Sequence, residues 1–251
     1  MESILKSDSL YFSYHSNPII NGVDFAIKKG EICSIIGPNG AGKTTFLNLL
    51  SGMLIPNAGD VFYKNKKITK VQPNKRRELG ISRSFQITNI FMQHTVYENI
   101  RYAVQGVNKQ KYQLFKSIDS MTDISVQTEK LLEICHLTSV KDEKCSDLAY
   151  AEQRLVEIAL SLAGNTEVLL LDEPTAGLSM EESRYIADFI KQLSRDLQLS
   201  IVFIEHDMDI VFDISNRISV LYYGELLLTD TPEHVKENKQ VQEIYLGEEL
   251  A

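Results

Sequence analysis

The stretch "EICSIIGPNGAGKTTFLNLL" at 31–50 constrains the fold more than any other part of this chain. Gly37, Gly42, Lys43 and Thr44 complete the pattern G-x-x-x-x-G-K-[ST]. An apolar run, 32–36, precedes it, and an amphipathic pattern starting at Thr44 follows, so the reading is buried strand, glycine loop, helix. Glycines let the backbone curl until several N–H groups point inward at a phosphate. The positive end of the following helix adds to that field. Lys43 supplies a cation for the outer phosphates, and the Thr44 hydroxyl suits Mg²⁺, which prefers oxygen ligands. Gly37, Pro38, Asn39, Gly40, Ala41, Gly42, Lys43, Thr44 and Thr45 are therefore expected to cradle a nucleoside triphosphate.

Further strands and helices alternate along the chain. "VLLLD" (168–172) and "SIVFIEHD" (200–207) read as buried strands, and "GDVFYKNKKI" (59–68) and "RISVLYYGELLLTD" (217–230) as hairpins. Ser179 and Glu182 stand in capping-box spacing ahead of a helix over 179–193 with Ile186, Phe189, Ile190 and Leu193 on one face. "TEKLLEICHL" (128–137) carries a wide apolar stripe within a helical region at 90–150, inserted between two strands. Alternation of this kind implies a largely parallel sheet covered on both faces, in an α/β chain. The polar strand ends then gather at the carboxyl edge, where ligands bind in such sheets.

Composition sets limits. The 251 residues suffice for one sizeable domain, and a net charge of −8 argues against sequence-independent nucleic-acid binding. The basic runs "KNKK" (64–67) and "NKRR" (74–77) are expected to be solvated faces. Cys33, Cys135 and Cys145 lack metal-ligand spacing and fit a reducing compartment. The opening "MESILKSDSL" has no leader pattern, and no apolar run approaches the ~20 residues that span a bilayer.

Asp172 and Glu173 follow four apolar residues. Asp172 is placed to hold the magnesium shell, and Glu173 to polarise an attacking water. A strand-ending acidic turn stopped by Pro174 is the plainer alternative; the phosphate loop upstream favours the catalytic one. His206, at the same sheet edge, is a candidate γ-phosphate sensor.

Taken together these residues resemble the ATP-binding subunit of ATP-binding-cassette transporters, over nearly the whole chain and in the right order. The resemblance implies a RecA-like core sheet with an antiparallel β-subdomain, a helical insert at about 90–155 and a C-terminal extension at about 231–251, all within one domain, 1–251. It places Tyr14 of "LYFSY" under adenine and Gln86 of "RSFQ" at the magnesium, facing the membrane domain. It makes Glu173, His206, Gln86 and Lys43 the catalytic set and Thr44, Gln86 and Asp172 the metal set, and puts "TAGLS" (175–179) at a dimer contact. "GISRSFQITNIFMQHTVYENI" (80–100), "IEHDM" and the closing "VQEIYLGEE" are similar to branched-chain amino acid importers; urea importers and the lipopolysaccharide-export cassette resemble it too.

"LAYAEQR" (148–154) stands where the family carries L-S-G-G-Q, which caps the ATP of a second cassette. Ala149, Tyr150, Ala151 and Glu152 are thus expected to bind nucleotide in trans. The resemblance makes Ala151 the real departure, since the branched-chain importers keep glycine there and tolerate alanine at 149; Ala151 adds a Cβ and disfavours positive φ, while Ala149 lacks the serine hydroxyl. On that basis this chain's own site is complete and its signature weak, which favours a heterodimer with an intact partner cassette over a homodimer. The implied partners are transmembrane permease subunits and, indirectly, a solute-binding protein; the implied cofactors are ATP and Mg²⁺. The implied location is peripheral, on the cytoplasmic face of the cell membrane. A non-transport cassette ATPase of translation or DNA repair fits less well, since those usually carry two cassettes or a long coiled coil. A P-loop kinase fits poorly with the helix-filled gap from Thr44 to Asp172.

Overall fold

Two sheets share one interior. The computed structural model describes residues 3–84, 90–107 and 118–248. The chain opens with a long hairpin, β1 (Ser3–Tyr14) and β2 (Asn17–Lys28), then enters β3 (Ile32–Ile36) and the helix α1 (Lys43–Ser51). A second hairpin, β4 (Ala58–Tyr63) and β5 (Lys66–Lys67), joins β1 to give an antiparallel sheet ordered β2-β1-β4-β5. Lys64 and Asn65 turn it with φ of 48° and 59°, the left-handed pair that suits a tight hairpin. This sheet is the antiparallel β-subdomain that the resemblance implied, although no sequence pattern apart from Tyr14 pointed to the opening hairpin itself.

The second sheet is built from β3, β6 (Ile81–Arg83), β7 (Val168–Asp172), β8 (Ser200–Ile204), β9 (Arg217–Tyr222) and β10 (Glu225–Asp230). Its order is β10-β9-β3-β8-β7-β6, parallel throughout except for the β9–β10 hairpin. Both faces of its central strands are buried, which explains why they read as unbroken apolar runs. Period-two alternation divides them cleanly. Ile32, Leu169, Leu171, Ile201 and Phe203 face one core with the helical region. Cys33, Ile35, Leu170, Val202 and Ile204 face the other, with α1 and the antiparallel sheet.

Between β6 and β7 run α3 (Val96–Val107), α4 (Ile118–Ile134) and α5 (Tyr150–Leu162). The expected apolar stripe over 128–137 is buried at Leu132, Cys135 and Leu137, but the helix stops at Ile134 and His136 turns the chain with φ 58°. α6 (Met180–Leu197) starts on the expected capping box. Ser179 Oγ accepts from Glu182 N at 3.3 Å, and the Glu182 carboxylate accepts from Ser179 N at 2.9 Å. The strand expected over 200–207 ends at Ile204 instead. Glu205 turns inward, and Asp207 caps α7 (Met208–Ile214) by accepting from Asp209 N. Helices α8 (Pro232–Glu237) and α9 (Lys239–Glu248) end the described chain. No helix among the described residues is long and apolar enough to cross a membrane.

One expectation fails in part. "KNKK" is exposed, as are Asn74 and Lys75 of "NKRR", but Arg77 is half-buried and Arg76 turns inward. The run opens α2 (Pro73–Leu79), and Arg76 is fully buried. The Arg76 guanidinium donates to five carbonyls, those of Leu49, Leu50, Ile68, Thr69 and Val71, at 2.7–3.0 Å. Leu49 and Leu50 lie in the last turn of α1, whose carbonyls lack helical partners, so a cation there is favourable. Burial pushes the Arg76 pKa down to about 10, which leaves it charged near neutral pH.

Candidate functional site

The phosphate loop joins β3 to α1 at the carboxyl edge of the parallel sheet. Its two motif glycines are sterically required. A Cβ on Gly37 would sit 2.0 Å from the Leu221 carbonyl oxygen, and one on Gly42 2.9 Å from that of Ile19. Gly42 has φ 100° and forms the N-cap of α1, so the loop turns directly into the helix N-terminus. Asn39 and Gly40 are exposed at the loop tip, and the Ala41 carbonyl accepts from Gly224 N at 3.0 Å. Thr45 lies half-buried in the first helical turn. Lys43 Nζ donates to the carbonyls of Gly37 and Pro38 at 2.5 and 2.9 Å, which holds its ammonium over the loop. Tyr14 is exposed at the end of β1 and paired with Asn17 of β2; that strand lies beneath Gly42 at Ile19.

The Thr44 hydroxyl and Asp172 Oδ1 are 3.4 Å apart. Two hard oxygens so placed suit Mg²⁺, which keeps several waters and needs only one or two protein oxygens beside phosphate. Asp172 Oδ2 pairs with Arg83 Nη2 at 2.8 Å. Burial raises the Asp172 pKa and lowers that of Arg83, each countered by the other's charge. Gln86, the remaining expected metal residue, lies outside the described residues.

Glu173 leaves β7 with φ 50°, and its N–H donates to Ile204 O at 3.0 Å. A left-handed Glu costs roughly 1–2 kcal/mol; here it turns the carboxylate towards the end of β8. His206 Nε2 meets Glu173 Oε1 there at 3.0 Å. The two expected catalytic side chains are thus brought into contact. Glu205 is what fixes this edge, and the sequence reading passed over it. It is buried, accepts from Thr175 N and Oγ1 at 2.9 and 2.5 Å, and accepts from His206 N at 3.0 Å. Arg83 is the other residue passed over; it stood in the quoted "RSFQ" beside the glutamine that drew attention.

Residues 149–152 lie on a different element. Ala149 is the N-cap of α5 with φ −62°, and the Glu152 carboxylate accepts from its N–H at 3.0 Å. Ala149 has no side-chain oxygen to offer the helix in return. Ala151 lies inside the first turn, 9 % exposed, and no residue of 149–152 has positive φ. The expected penalty for replacing glycine at 151 therefore does not arise in the backbone. Tyr150 is 61 % exposed and lies beside Gly177, and Arg154 Nη2 donates to Ala176 O at 3.4 Å. The signature segment and the 175–179 loop thus form one patch.

A strand–loop–helix phosphate cradle, a threonine–aspartate pair and a glutamate–histidine pair at one sheet edge define a P-loop ATPase. The family model described as "ABC transporter" matches residues 20–176. The high-affinity branched-chain amino acid transport ATP-binding protein LivG of Escherichia coli is 34% identical, covering 98% of this chain and 99% of its own length. The lipopolysaccharide export system ATP-binding protein LptB of Haemophilus influenzae is 31% identical, covering 99% of each. The solved ADP conformation of an ATP-binding cassette of an ABC transporter superposes with a TM-score of 0.84 at 28% identity, over 98% of this chain and all of the other. The chain belongs to the ABC transporter family and is an ATP-hydrolysing subunit of it; the ATP-binding subunits of this family work with transmembrane permease components and dimerise.

Proposed function

We propose that this chain energises an importer of branched-chain or related amino acids, by ATP-driven closure of a cassette dimer. The observation that carries the solute class is the full-length similarity to the branched-chain amino acid transport protein LivG. In this reading Tyr14 stacks on adenine, the loop 37–45 and Lys43 hold the phosphates, and Thr44, Asp172 and Gln86 hold Mg²⁺. Bound there, Mg²⁺ would neutralise charge on the outer phosphates. Glu173 orients the attacking water and accepts its proton, and His206 holds Glu173 in place through their 3.0 Å contact.

The patch formed by 149–152 and the 175–179 loop faces the nucleotide of a second cassette. The missing hydroxyl at Ala149 favours a heterodimer, in which the partner's site is the slower one. A cavity of 630 Å³ opens between the parallel sheet and the helical region, walled by Met53, Arg77, Arg83, Phe91, Tyr102 and Glu157. Phe91 and Tyr102 are 58% and 40% exposed, and we place the permease contact there. Proteoliposomes holding the permease that copurifies with this chain, with its solute-binding protein, test the reading. ATP hydrolysis should rise with leucine, isoleucine or valine; stimulation by none of a panel of amino acids overturns it. The similarity to LptB supports a second reading, export of a lipid, in which lipopolysaccharide stimulates instead.

A further inference from the structure

Arg83 ends the edge strand β6, two ladder positions short of Asp172, since it pairs with Leu170. Residues two apart on a strand share a face. Ile81 and Leu170 both face the core under α1, so Arg83 and Asp172 point to that same side. The guanidinium reaches along the sheet and makes a fork. Nη2 donates to Asp172 Oδ2 at 2.8 Å, while Nη1 donates to Asn48 Oδ1 and, at 3.4 Å, to Ser51 Oγ on α1. The Asp172 side chain is 0% exposed and that of Arg83 10%, so water screens the pair little. Thr44 takes the other oxygen, Oδ1. One buried carboxylate therefore has a resident cation on one oxygen and the candidate magnesium position on the other.

We propose that Arg83 is a counter-cation for Asp172 that opposes retention of the metal and so favours release of magnesium-bound nucleoside diphosphate. The reasoning is electrostatic. A buried carboxylate stripped of its only cation is costly, and that cost would have to be met each time the metal left with product. Arg83 removes it by neutralising Asp172 in the metal-free state. With both cations present, three positive charges share one carboxylate, and they repel in a site that screens them little. Arg83 thus raises the metal-bound state relative to the metal-free one. The inference rests on reading Asp172 as a metal carboxylate.

The experiment is the affinity of the isolated chain for a fluorescent ADP analogue, with Mg²⁺ and with EDTA, in mildly alkaline buffer. Arg83→Met removes charge and hydrogen bonds. Arg83→Gln removes the charge but keeps a polar N–H donor, and it keeps the comparison open if the first variant does not fold. Arg83→Lys keeps the charge. In the two neutral variants the gain in affinity on adding Mg²⁺ should grow about tenfold, a typical coupling between two sites. Dissociation of the magnesium-bound analogue should slow in parallel, with binding in EDTA unchanged and Arg83→Lys close to the native chain. An unchanged magnesium gain would make the pair purely structural, and a smaller gain would make Arg83 an aid to metal binding; either overturns the proposal. Asp172→Asn separates the two readings: if it leaves the magnesium gain intact, the assignment of Asp172 itself fails.

Discussion

At the scale of single residues, the proposed chemistry rests on Glu173 and on what aims it. Its positive φ and the contact with His206 direct one carboxylate oxygen along the sheet edge. Glu173→Gln keeps the shape and removes the base. Hydrolysis should fall by roughly 10²-fold or more, while ATP binding measured by fluorescence persists; a variant that hydrolyses within tenfold of the native rate would exclude Glu173 as the base. Glu205 acts one step back. Its two oxygens tie Thr175 to His206, so Glu205→Ala should lower kcat with little change in the affinity for ATP, read from single-turnover rates and binding in parallel. The phosphate loop, Asp172, Glu173 and His206 were legible because each carries a short-range pattern of its own. Glu205 and Arg83 were not, because an acidic residue before a histidine and an arginine in a short strand acquire meaning only from partners 30 and 89 residues away.

At the scale of elements, helix ends decide what the sequence could show. The capping box at Ser179 was readable because both halves are local. The start of α5 keeps only one half, the Glu152 carboxylate, since Ala149 offers no oxygen. Ala149→Ser should therefore stabilise the chain by about 0.5–1 kcal/mol in urea unfolding. In mixed dimers it should also speed the site that this signature caps, whereas Ala151→Gly, at a helical and nearly buried position, should change that rate less. The reverse order would return the weight to Ala151. Arg76 shows the opposite failure of local reading. A basic run looks solvated until tertiary packing brings five carbonyls around one of its members. Arg76→Met takes a donor from each of those buried carbonyls, of which Leu49 and Ile68 keep another, from Gly52 N and Val71 N. The expected loss is on the order of 3 kcal/mol, seen as a lower urea midpoint, with Arg76→Lys recovering only part of it.

At the scale of the whole molecule, the two cores on either side of the parallel sheet bury its central strands completely, yet apolar surface remains at the cavity mouth between sheet and helices. Phe91 and His94 each pack edge to face with Tyr102 there and at a tilt with each other, with ring centroids 5.6–6.1 Å apart. Such an arrangement is rigid before any partner arrives, so little side-chain entropy is lost on docking. Burying the part of Phe91 and Tyr102 that is still exposed is worth about 1 kcal/mol each, and central aromatic anchors commonly dominate an interface. The pair Phe91→Asp and Tyr102→Asp should then weaken capture of the permease at least tenfold, since every 1.4 kcal/mol is a factor of about ten. Both side chains are exposed in large part and pack mainly on each other and His94, so the melting temperature of the isolated chain should fall far less than permease binding. Permease binding of native strength in the double variant would mean that this cavity is not the docking surface, and the membrane-facing side of the cassette would have to be sought elsewhere.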